Sequence, residues 1–366
     1  MIKSPKYRIV VSSIFIISAL AVILIGVEMD NSINIVKNEE VTYLKEKVDN
    51  AKWKFRYEIG TIEKMLKVAV NFADNSVLTP SSFEENNNFA IPFLNSFSRL
   101  KTFVIADVNG NEYAITKEDG TWLSSVNILD NGNIYEKKDR WKISNNKVDT
   151  IDKWITAPNE YDPRRRPWFQ MALGNEIQHQ VNWTNPYVFH TQMMPGITVS
   201  VKSTKQSPVA VVGLDILLTD MSDFTMNFSE DNSSKAFILT NDLKILGVPF
   251  YNNMMSEKDV KSLLMKDYKT LKQESFTNAV SKWVTLEKNK YEPFTYHADN
   301  NKWYCQIVPY NLEGDKYFLM GIIIPESSLH KSANFIRIVS ILIFSLAFVL
   351  LIRIATIQLI RLYRKK

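Results

Sequence analysis

Two long apolar stretches lie near the ends of the chain. Residues 9–27 contain no charged side chain and are rich in Ile, Val, Leu and Phe. In a helix they would match a hydrocarbon core roughly 30 Å thick. Residues 335–352 are similarly apolar and are interrupted only by Arg337, whose long side chain can reach the interface. The pattern predicts transmembrane helices at 9–27 and 335–355.

Basic residues flank both stretches and set the expected topology. Residues 1–8 and the tail 356–366 each carry Lys and Arg, and the positive-inside rule places both in the cytoplasm. Residues 28–334 would then lie outside. A cleaved signal peptide is the alternative for the first stretch, but no small-residue cleavage site follows it. A buried helix of a soluble core is the alternative for the second.

The segment directly after the first stretch, residues 28–75, predicts one long amphipathic helix. Its apolar residues recur mostly at intervals of three and four, with Glu and Lys between them. They are Ile33, Val36, Leu44, Val48, Ala51, Phe55, Ile59, Ile62, Leu66, Ala69 and Ala73. The apolar stripe could pack on the domain that the helix supports, on a second copy of the chain, or on both.

Beyond this helix the pattern changes to short runs of β-branched and aromatic residues. Residues 102–107 and 112–116, joined by a turn containing Asn109-Gly110, predict a β-hairpin. A helix is predicted at 167–173, between an early proline and a late glycine. Further strands are predicted at 121–128, 183–189, 197–203 and 209–216.

A similar pattern restarts after a polar segment near 227–234. The strands predicted there are 236–240, 244–248, 302–309 and 317–324. Two sequential modules, 76–226 and 227–332, are therefore expected, each built from short antiparallel strands with flanking helices. The predicted fold class is α+β, with a long N-terminal helix that carries both modules.

Composition and charge narrow the classes of function. The chain has 366 residues, of which 45% are hydrophobic and 23% charged, so it is not a disordered chain. Cys305 is its single cysteine, which excludes an internal disulfide and cysteine-rich zinc sites. Residues 28–334 carry 35 basic and 39 acidic residues, a net charge of −4, which gives no argument for nucleic acid. Catalytic and nucleotide-binding motifs are absent, so no enzyme, cofactor or metal is predicted.

The most unusual cluster of residues spans 160–172 and reads EYDPRRRPWFQMA. Arg166 offers a planar fork of donors for a carboxylate. Trp168 and Tyr187 offer aromatic faces for an ammonium group, and Asp215 offers it an opposite charge. Structural alternatives remain: the arginine could be solvated, the tryptophan could belong to the core, and Asp215 could pair with a neighbouring arginine.

Three segments in order, 161–169, WTNPY at 183–187 and VVGLD at 211–215, resemble the double Cache sensor domain of bacterial chemoreceptors, sensor kinases and diguanylate cyclases. The layout of anchor, long helix, two modules and anchor is also similar, so the resemblance covers roughly residues 9–355. It implies two PAS-like (Cache) modules, of which the membrane-distal first one binds ligand. It also implies the bacterial inner membrane, with residues 28–334 periplasmic or extracellular.

The resemblance also implies roles for individual residues. In relatives that bind amino acids, the residues matching Arg166 and Trp168 hold the carboxylate, and those matching Tyr161, Tyr187 and Asp215 contribute to the amino-group side. This chain has a phenylalanine where the family has a tyrosine, which removes a hydroxyl that could face the amino group. The ligand is thus expected to be an amino acid, an amine or a small carboxylate. The predicted ligand-binding residues are Tyr161, Arg166, Trp168, Phe169, Trp183, Tyr187 and Asp215.

The resemblance predicts a receptor that senses a small ligand and signals across the membrane. Relatives usually continue into an output region, whereas about a dozen residues follow the second apolar stretch here. We expect either a receptor half separated from its output domain or a small protein that signals through a separate partner. The second hypothesis is a membrane-anchored scaffold that binds another protein and has a vestigial pocket.

Overall fold

The fold is α+β, as predicted, with a long N-terminal helix and two antiparallel sheets. It is seen in a computed structural model. The structure describes residues 5–97, 99–130, 133–144, 147–156, 161–205, 207–228, 234–249, 256–286, 290–314, 316–329 and, between 342 and 360, all but 344, 347, 351, 355, 358 and 359.

Helix α1, Pro5–Asp74, is the longest element. Its 70 residues would extend about 105 Å, and they include the predicted helix 28–75, which is confirmed. One face of α1 is buried and packs against strands of both sheets. The buried residues on this face include Leu44, Val48, Ala51, Phe55, Ile59, Ile62, Leu66, Ala69 and Ala73. Of the alternatives that the sequence left open for the apolar stripe, packing on the chain's own modules is therefore observed.

The membrane spans stay predictions. Within the described residues, no helix is both long and apolar enough to cross a membrane. Most side chains of the first predicted span, 9–27, lie outside the described residues. The second prediction, 335–355, falls in large part on residues outside them as well, as does most of the tail 356–366.

The first module contains nine of the described strands, joined in one antiparallel sheet. Their order is β5-β4-β3-β2-β1-β9-β8-β6, and β7 pairs with β8. The strands are β1 Leu100–Asp107, β2 Glu112–Glu118, β3 Thr121–Asp130, β4 Asn133–Ser144, β5 Lys147–Ile155, β6 Asn182–Trp183, β7 Tyr187–Val188, β8 Pro195–Lys202 and β9 Ala210–Leu217. The helices are α2 Phe83–Ser96, α3 Pro167–Gly174 and α4 Leu218–Met226.

Several local predictions for this module are confirmed. The 102–107 and 112–116 hairpin corresponds to β1 and β2, and its turn uses Gly110, whose φ of 93° favours glycine. Helix α3 begins at a proline and ends at Gly174. The sequence interpretation missed β4 and β5, because their side chains are mostly polar and both strands extend the sheet away from the core.

The second module contains five of the described strands, in the order β11-β10-β14-β13-β12. The strands are β10 Lys235–Leu239, β11 Ile245–Gly247, β12 Phe294–Ala298, β13 Asn301–Asn311 and β14 Tyr317–Pro325. The helices are α5 Glu257–Leu263 and α6 Glu274–Val284. Helix α6 packs on the sheet through Phe276, whose ring centroid lies 5.0 Å from that of Phe237. Apolar side chains thus fill the space between helix and sheet.

Candidate ligand-binding site

A cavity lies on one face of the first module's sheet, over β1, β2 and β9. Segments 161–168 and 187–192 close it from the other side, and its empty space, solvent mouth included, is about 380 Å³. Five of the seven predicted residues line it together: Tyr161, Arg166, Trp168, Tyr187 and Asp215.

The arginine run is arranged by a short 3₁₀ helix, Pro163–Arg165. The carboxylate of Asp162 caps this helix by accepting the backbone N–H of Arg164 at 2.9 Å, and it also binds that residue's guanidinium. The guanidinium of Arg164 is therefore bound to Asp162 outside the cavity, and Arg165 is exposed. Arg166 stands in extended backbone between this turn and α3, and it alone of the three lines the cavity.

Two aromatic rings hold the guanidinium of Arg166. Its Cζ lies 5.1 Å from the ring centroid of Tyr187 and 5.9 Å from that of Tyr161, and Nη2 donates to the carbonyl oxygen of Val188 at 2.9 Å. The face of Tyr187 that the sequence suggested for a ligand ammonium thus lies beside the protein's own cation. The remaining guanidinium N–H groups form no hydrogen bond within the described residues.

Trp168 approaches the sheet closely because a glycine lies opposite it. A Cβ at Gly213 of β9 would lie 3.3 Å from Cε3 of the tryptophan and 3.0 Å from Cγ1 of Val104. Trp168 is buried and joins a small apolar cluster while it also borders the cavity. Both interpretations of this tryptophan, core and site wall, therefore apply.

Asp215 is held by a chain of hydroxyl groups rather than by a cation. It lies opposite Thr198 in the β8–β9 pair, and Thr198 Oγ1 donates to Asp215 Oδ1 at 2.6 Å. The hydroxyl of Tyr187 lies 2.5 Å from the same Oγ1. The side chain is 9% exposed and forms no ion pair within the described residues. Burial raises the pKa of Asp215 to about 7, although the threonine and Arg166 act to lower it.

Glu112, which the sequence analysis missed, is a second buried carboxylate in the cavity. It begins β2, is 4% exposed, and accepts a hydrogen bond of 2.8 Å from the hydroxyl of Tyr161. Burial raises the pKa of Glu112 to about 8. The tyrosine hydrogen bond and Arg166 oppose this rise, and the charges of Glu136 and Asp215 add to it.

His190 connects the cavity to the missed strand β4. Its ring stacks on that of Tyr161 with 4.4 Å between centroids, and its Nε2 lies 3.3 Å from Glu136 Oε2. Lys138 Nζ lies at the same distance from that oxygen. Although burial acts to raise it, these partners hold the pKa of Glu136 below its ordinary value. Glu136 is thus compensated by the protein.

Phe169 and Trp183, which were also predicted to bind ligand, are not among the residues that line the cavity. Phe169 is buried in the cluster beneath α3, with its ring edge-on to that of Trp168. Trp183 donates from Nε1 to Glu63 Oε1 of α1 at 2.8 Å, and its carbonyl oxygen accepts from Lys316 Nζ. It therefore joins the first module to α1 and to the second module.

The alternation of residues along β2 assigns Glu112 to the face opposite the main core, but the burial of that face is seen only in the structure. On β2, the alternate residues Tyr113 and Ile115 face the main core, whereas Glu112, Ala114 and Thr116 lie on the opposite face. All five residues are buried. A polar and small face on a fully buried strand indicates a lined cavity.

The chain thus combines a long helix, two antiparallel modules and a polar cavity in the first module. Residues 111–223 match the family model of the first PDC sensor domain of methyl-accepting chemotaxis protein-like proteins. The predicted resemblance to double Cache sensor domains is thereby confirmed.

Solved structures show the same fold over most of the chain. The ligand-binding domain of the Pseudomonas fluorescens chemoreceptor CtaA, in complex with L-isoleucine, is 15% identical with a TM-score of 0.53, covering 82% of this chain and 98% of that one. The ligand-binding domain of the Pseudomonas aeruginosa PAO1 amino acid chemoreceptor PctB, in complex with L-Arg, is 17% identical with a TM-score of 0.51, covering 85% and 98%.

A curated relative shares a shorter segment. Adenylate cyclase 1 of Rhizobium meliloti (strain 1021) is 30% identical over 83 residues, which are 23% of this chain. The match spans 12% of the length of that relative.

Proposed function

We propose that the chain is a sensor whose first module binds a small ligand with an ammonium group, an amino acid or an amine, in the cavity described above. The observation that carries this proposal is Asp215, a buried carboxylate without an ion pair in the described structure, facing a cavity that also holds Arg166. Of the three ligand classes expected from the sequence, a plain carboxylate fits least well.

The physical argument is one of desolvation. A buried carboxylate costs several kcal/mol unless an opposite charge or several donors compensate it. Asp215 receives one hydroxyl donor from Thr198, and Arg166 is engaged by two aromatic rings and a carbonyl oxygen. A ligand ammonium beside Asp215 would supply the missing charge. A ligand carboxylate would use the remaining guanidinium donors of Arg166.

The solved relatives support this choice. The ligand-binding domains of CtaA and PctB form complexes with L-isoleucine and L-Arg, whose α-amino and carboxylate groups are both charged. Their ligand-binding domains have a fold similar to that of this chain, and the match to a chemotaxis-type sensor module covers β2 to α4 of this chain.

The proposed receptor is anchored in the bacterial inner membrane by the spans predicted at 9–27 and 335–355. Residues 28–334 then face the periplasm or the outside, and lipid surrounds the two spans. The signal passes along α1, which packs on both modules, to an output domain or a separate signalling protein. Exposed aromatic residues on α1, Trp53 and Tyr57, favour a homodimer.

The second candidate function is a membrane-anchored scaffold that binds a protein partner. Exposed apolar side chains on strand β5, which ends the sheet, favour it: Val148, Ile151 and Ile155. In this alternative the cavity has no ligand, and the same sensor fold serves as a docking surface.

Calorimetry and thermal unfolding of the purified full chain test the two candidates. We expect at least one amino acid or amine to raise the unfolding midpoint, since a ligand at 100 times its dissociation constant stabilises by about 2.7 kcal/mol. Matched carboxylic acids without an amino group serve as controls. If no amine-bearing compound shifts the midpoint while a protein partner binds, the sensor proposal is wrong and the scaffold is favoured.

A further inference from the structure

The cavity wall carries more acidic side chains than permanently basic ones. Glu112 and Asp215 both line it, and both are more than nine-tenths buried. Among the described residues of its wall, Arg166 is the only permanent cation, and it forms an ion pair with neither carboxylate. With both carboxylates ionised, the wall therefore has an excess of one negative charge.

The second carboxylate is not explained by an ordinary structural role. Tyr161 donates one hydrogen bond to Glu112 Oε2, and the other carboxylate oxygen accepts none from the described residues. The neighbouring Glu136, by contrast, is compensated by Lys138 and His190. A neutral glutamine would hold Tyr161 equally well without the cost of a buried charge.

The sheet register separates the two carboxylates. Glu112 pairs with Ala106 on one side of β1, and Asp215 pairs with Thr102 on the other side. Ala106 and Thr102 are four residues apart, which corresponds to about 13 Å along the strand. Both side chains reach the same cavity, so they face it from opposite ends. Two cationic groups on one ligand would need several bonds between them to meet both.

The structure assigns to this cavity a diamino monocarboxylic acid, with its α-ammonium at Asp215, its carboxylate at Arg166 and its distal ammonium at Glu112. This inference rests on the proposed function and narrows its ligand class. The charges then balance, because the ligand carries a net charge of +1 and the wall a net charge of −1. A simple diamine carries +2 and leaves Arg166 facing excess positive charge.

Burial supports the same assignment. Desolvation raises the pKa of both carboxylates, to about 8 for Glu112 and about 7 for Asp215, and Arg166 and the hydroxyl donors offset this rise only in part. A ligand that supplies two ammonium groups would reverse both shifts. Glu112 thus acts as a specificity-determining residue for ligands with a distal ammonium.

The test compares lysine with 2-aminoheptanoic acid, in which a methyl group replaces the distal ammonium. Isothermal titration of the full chain at pH 8 should show lysine binding at least about 10-fold more tightly, the effect of one charged hydrogen bond. The shorter ornithine and 2,3-diaminopropionate should bind progressively more weakly. Glu112→Gln should abolish the preference for lysine while binding of 2-aminoheptanoate persists.

Glu176→Gln is the matched control, since it makes the same chemical change at an exposed position, and it should keep the lysine preference. Equal affinities of lysine and 2-aminoheptanoate in the wild type would overturn the inference and leave the proposed function standing. A lysine preference that survives in Glu112→Gln would also overturn it. If neither these ligands nor other amino acids and amines bind, both proposals fail. The wild-type comparison decides even where the variant does not fold.

Discussion

The two modules of this chain differ in what fills the space between helix and sheet. In the second module, Phe276 of α6 meets Phe237 of β10, and the sheet leaves room for that ring only because residue 321 is glycine, where a Cβ would lie 2.0 Å from Phe237 Cζ. Among the described residues of this module, no Asp or Glu is buried.

In the first module, α3 and the preceding turn leave the corresponding space open over β1, β2 and β9. Two buried carboxylates and an arginine line it. Buried charges of this kind cost stability, whereas an apolar filling contributes to it. The apolar packing of the second module therefore stabilises the fold, whereas the buried carboxylates of the first module lower its stability at the cavity where we propose that a ligand binds.

The largest expected effect on stability comes from removing a buried aromatic ring in the core of the second module. Phe276→Ala should lower the free energy of unfolding by about 3–5 kcal/mol, because it removes a fully buried ring and leaves a cavity. Ligand affinity should change little, since the residue lies outside the first module. Denaturant unfolding and calorimetry of the same preparation check both expectations. A large loss of affinity with an intact fold would show that the second module also shapes the site.

The next effect is the loss of stability that the buried carboxylate of Asp215 causes in the unliganded protein. Its pKa rises from 3.8 to about 7 on folding, so the folded state keeps a proton that the unfolded state loses. Stability should therefore fall as pH rises from about 4 to 7. Asp215→Asn should remove the part of this fall that comes from Asp215, while Glu112, whose pKa is also raised, keeps its own part. The variant should raise the free energy of unfolding at pH 8 by about 2–4 kcal/mol.

Unfolding curves at several pH values, without ligand, test this prediction. The same variant should lose affinity for amine-bearing ligands, because the opposite charge is gone. A destabilised Asp215→Asn protein at pH 8 would contradict the view that the first module gives up stability at this residue.

Two arginines of the run, Arg166 and Arg164, should differ in their effect on ligand affinity. Arg166→Ala should weaken binding of a carboxylate-bearing ligand by about 2–4 kcal/mol, since it removes a charged contact and leaves the ligand carboxylate desolvated. Arg164→Ala should have a much smaller effect, because that side chain binds Asp162 outside the cavity. Titrations of both variants with one amino acid check this. Equal losses would indicate a diffuse electrostatic effect.

The smallest expected effect is that of Phe169→Tyr. The resemblance suggested that a tyrosine hydroxyl here would face the ligand's amino group, but Phe169 lies in the apolar cluster outside the cavity. Affinity should therefore change by less than about 2-fold, and the free energy of unfolding should fall by roughly 1 kcal/mol as a hydroxyl enters an apolar cluster. A clear gain in amino-acid affinity would show that this ring reaches the site.

Elements that depend on neighbouring residues could be predicted from local sequence patterns. The spacing of apolar residues predicted the long helix, an early proline and a late glycine predicted α3, and Asn109-Gly110 predicted the β1–β2 turn. These signals are local, so they survive without knowledge of the fold. The ordered motif also named five residues that line the cavity.

Other features of the fold and of the cavity depend on contacts between residues distant in sequence. The polar strands β4 and β5 exist because they pair with β3 and with each other, and no periodic apolar face indicates them. Glu112 lines the cavity because β2 pairs with one edge of β1, and β9, the strand of Asp215, pairs with the other edge. Trp183 lies outside the cavity because its indole N–H donates a hydrogen bond to Glu63, which is distant in sequence. Strand pairing and burial are long-range properties, so residue type alone cannot reveal which side of a strand a charge will occupy.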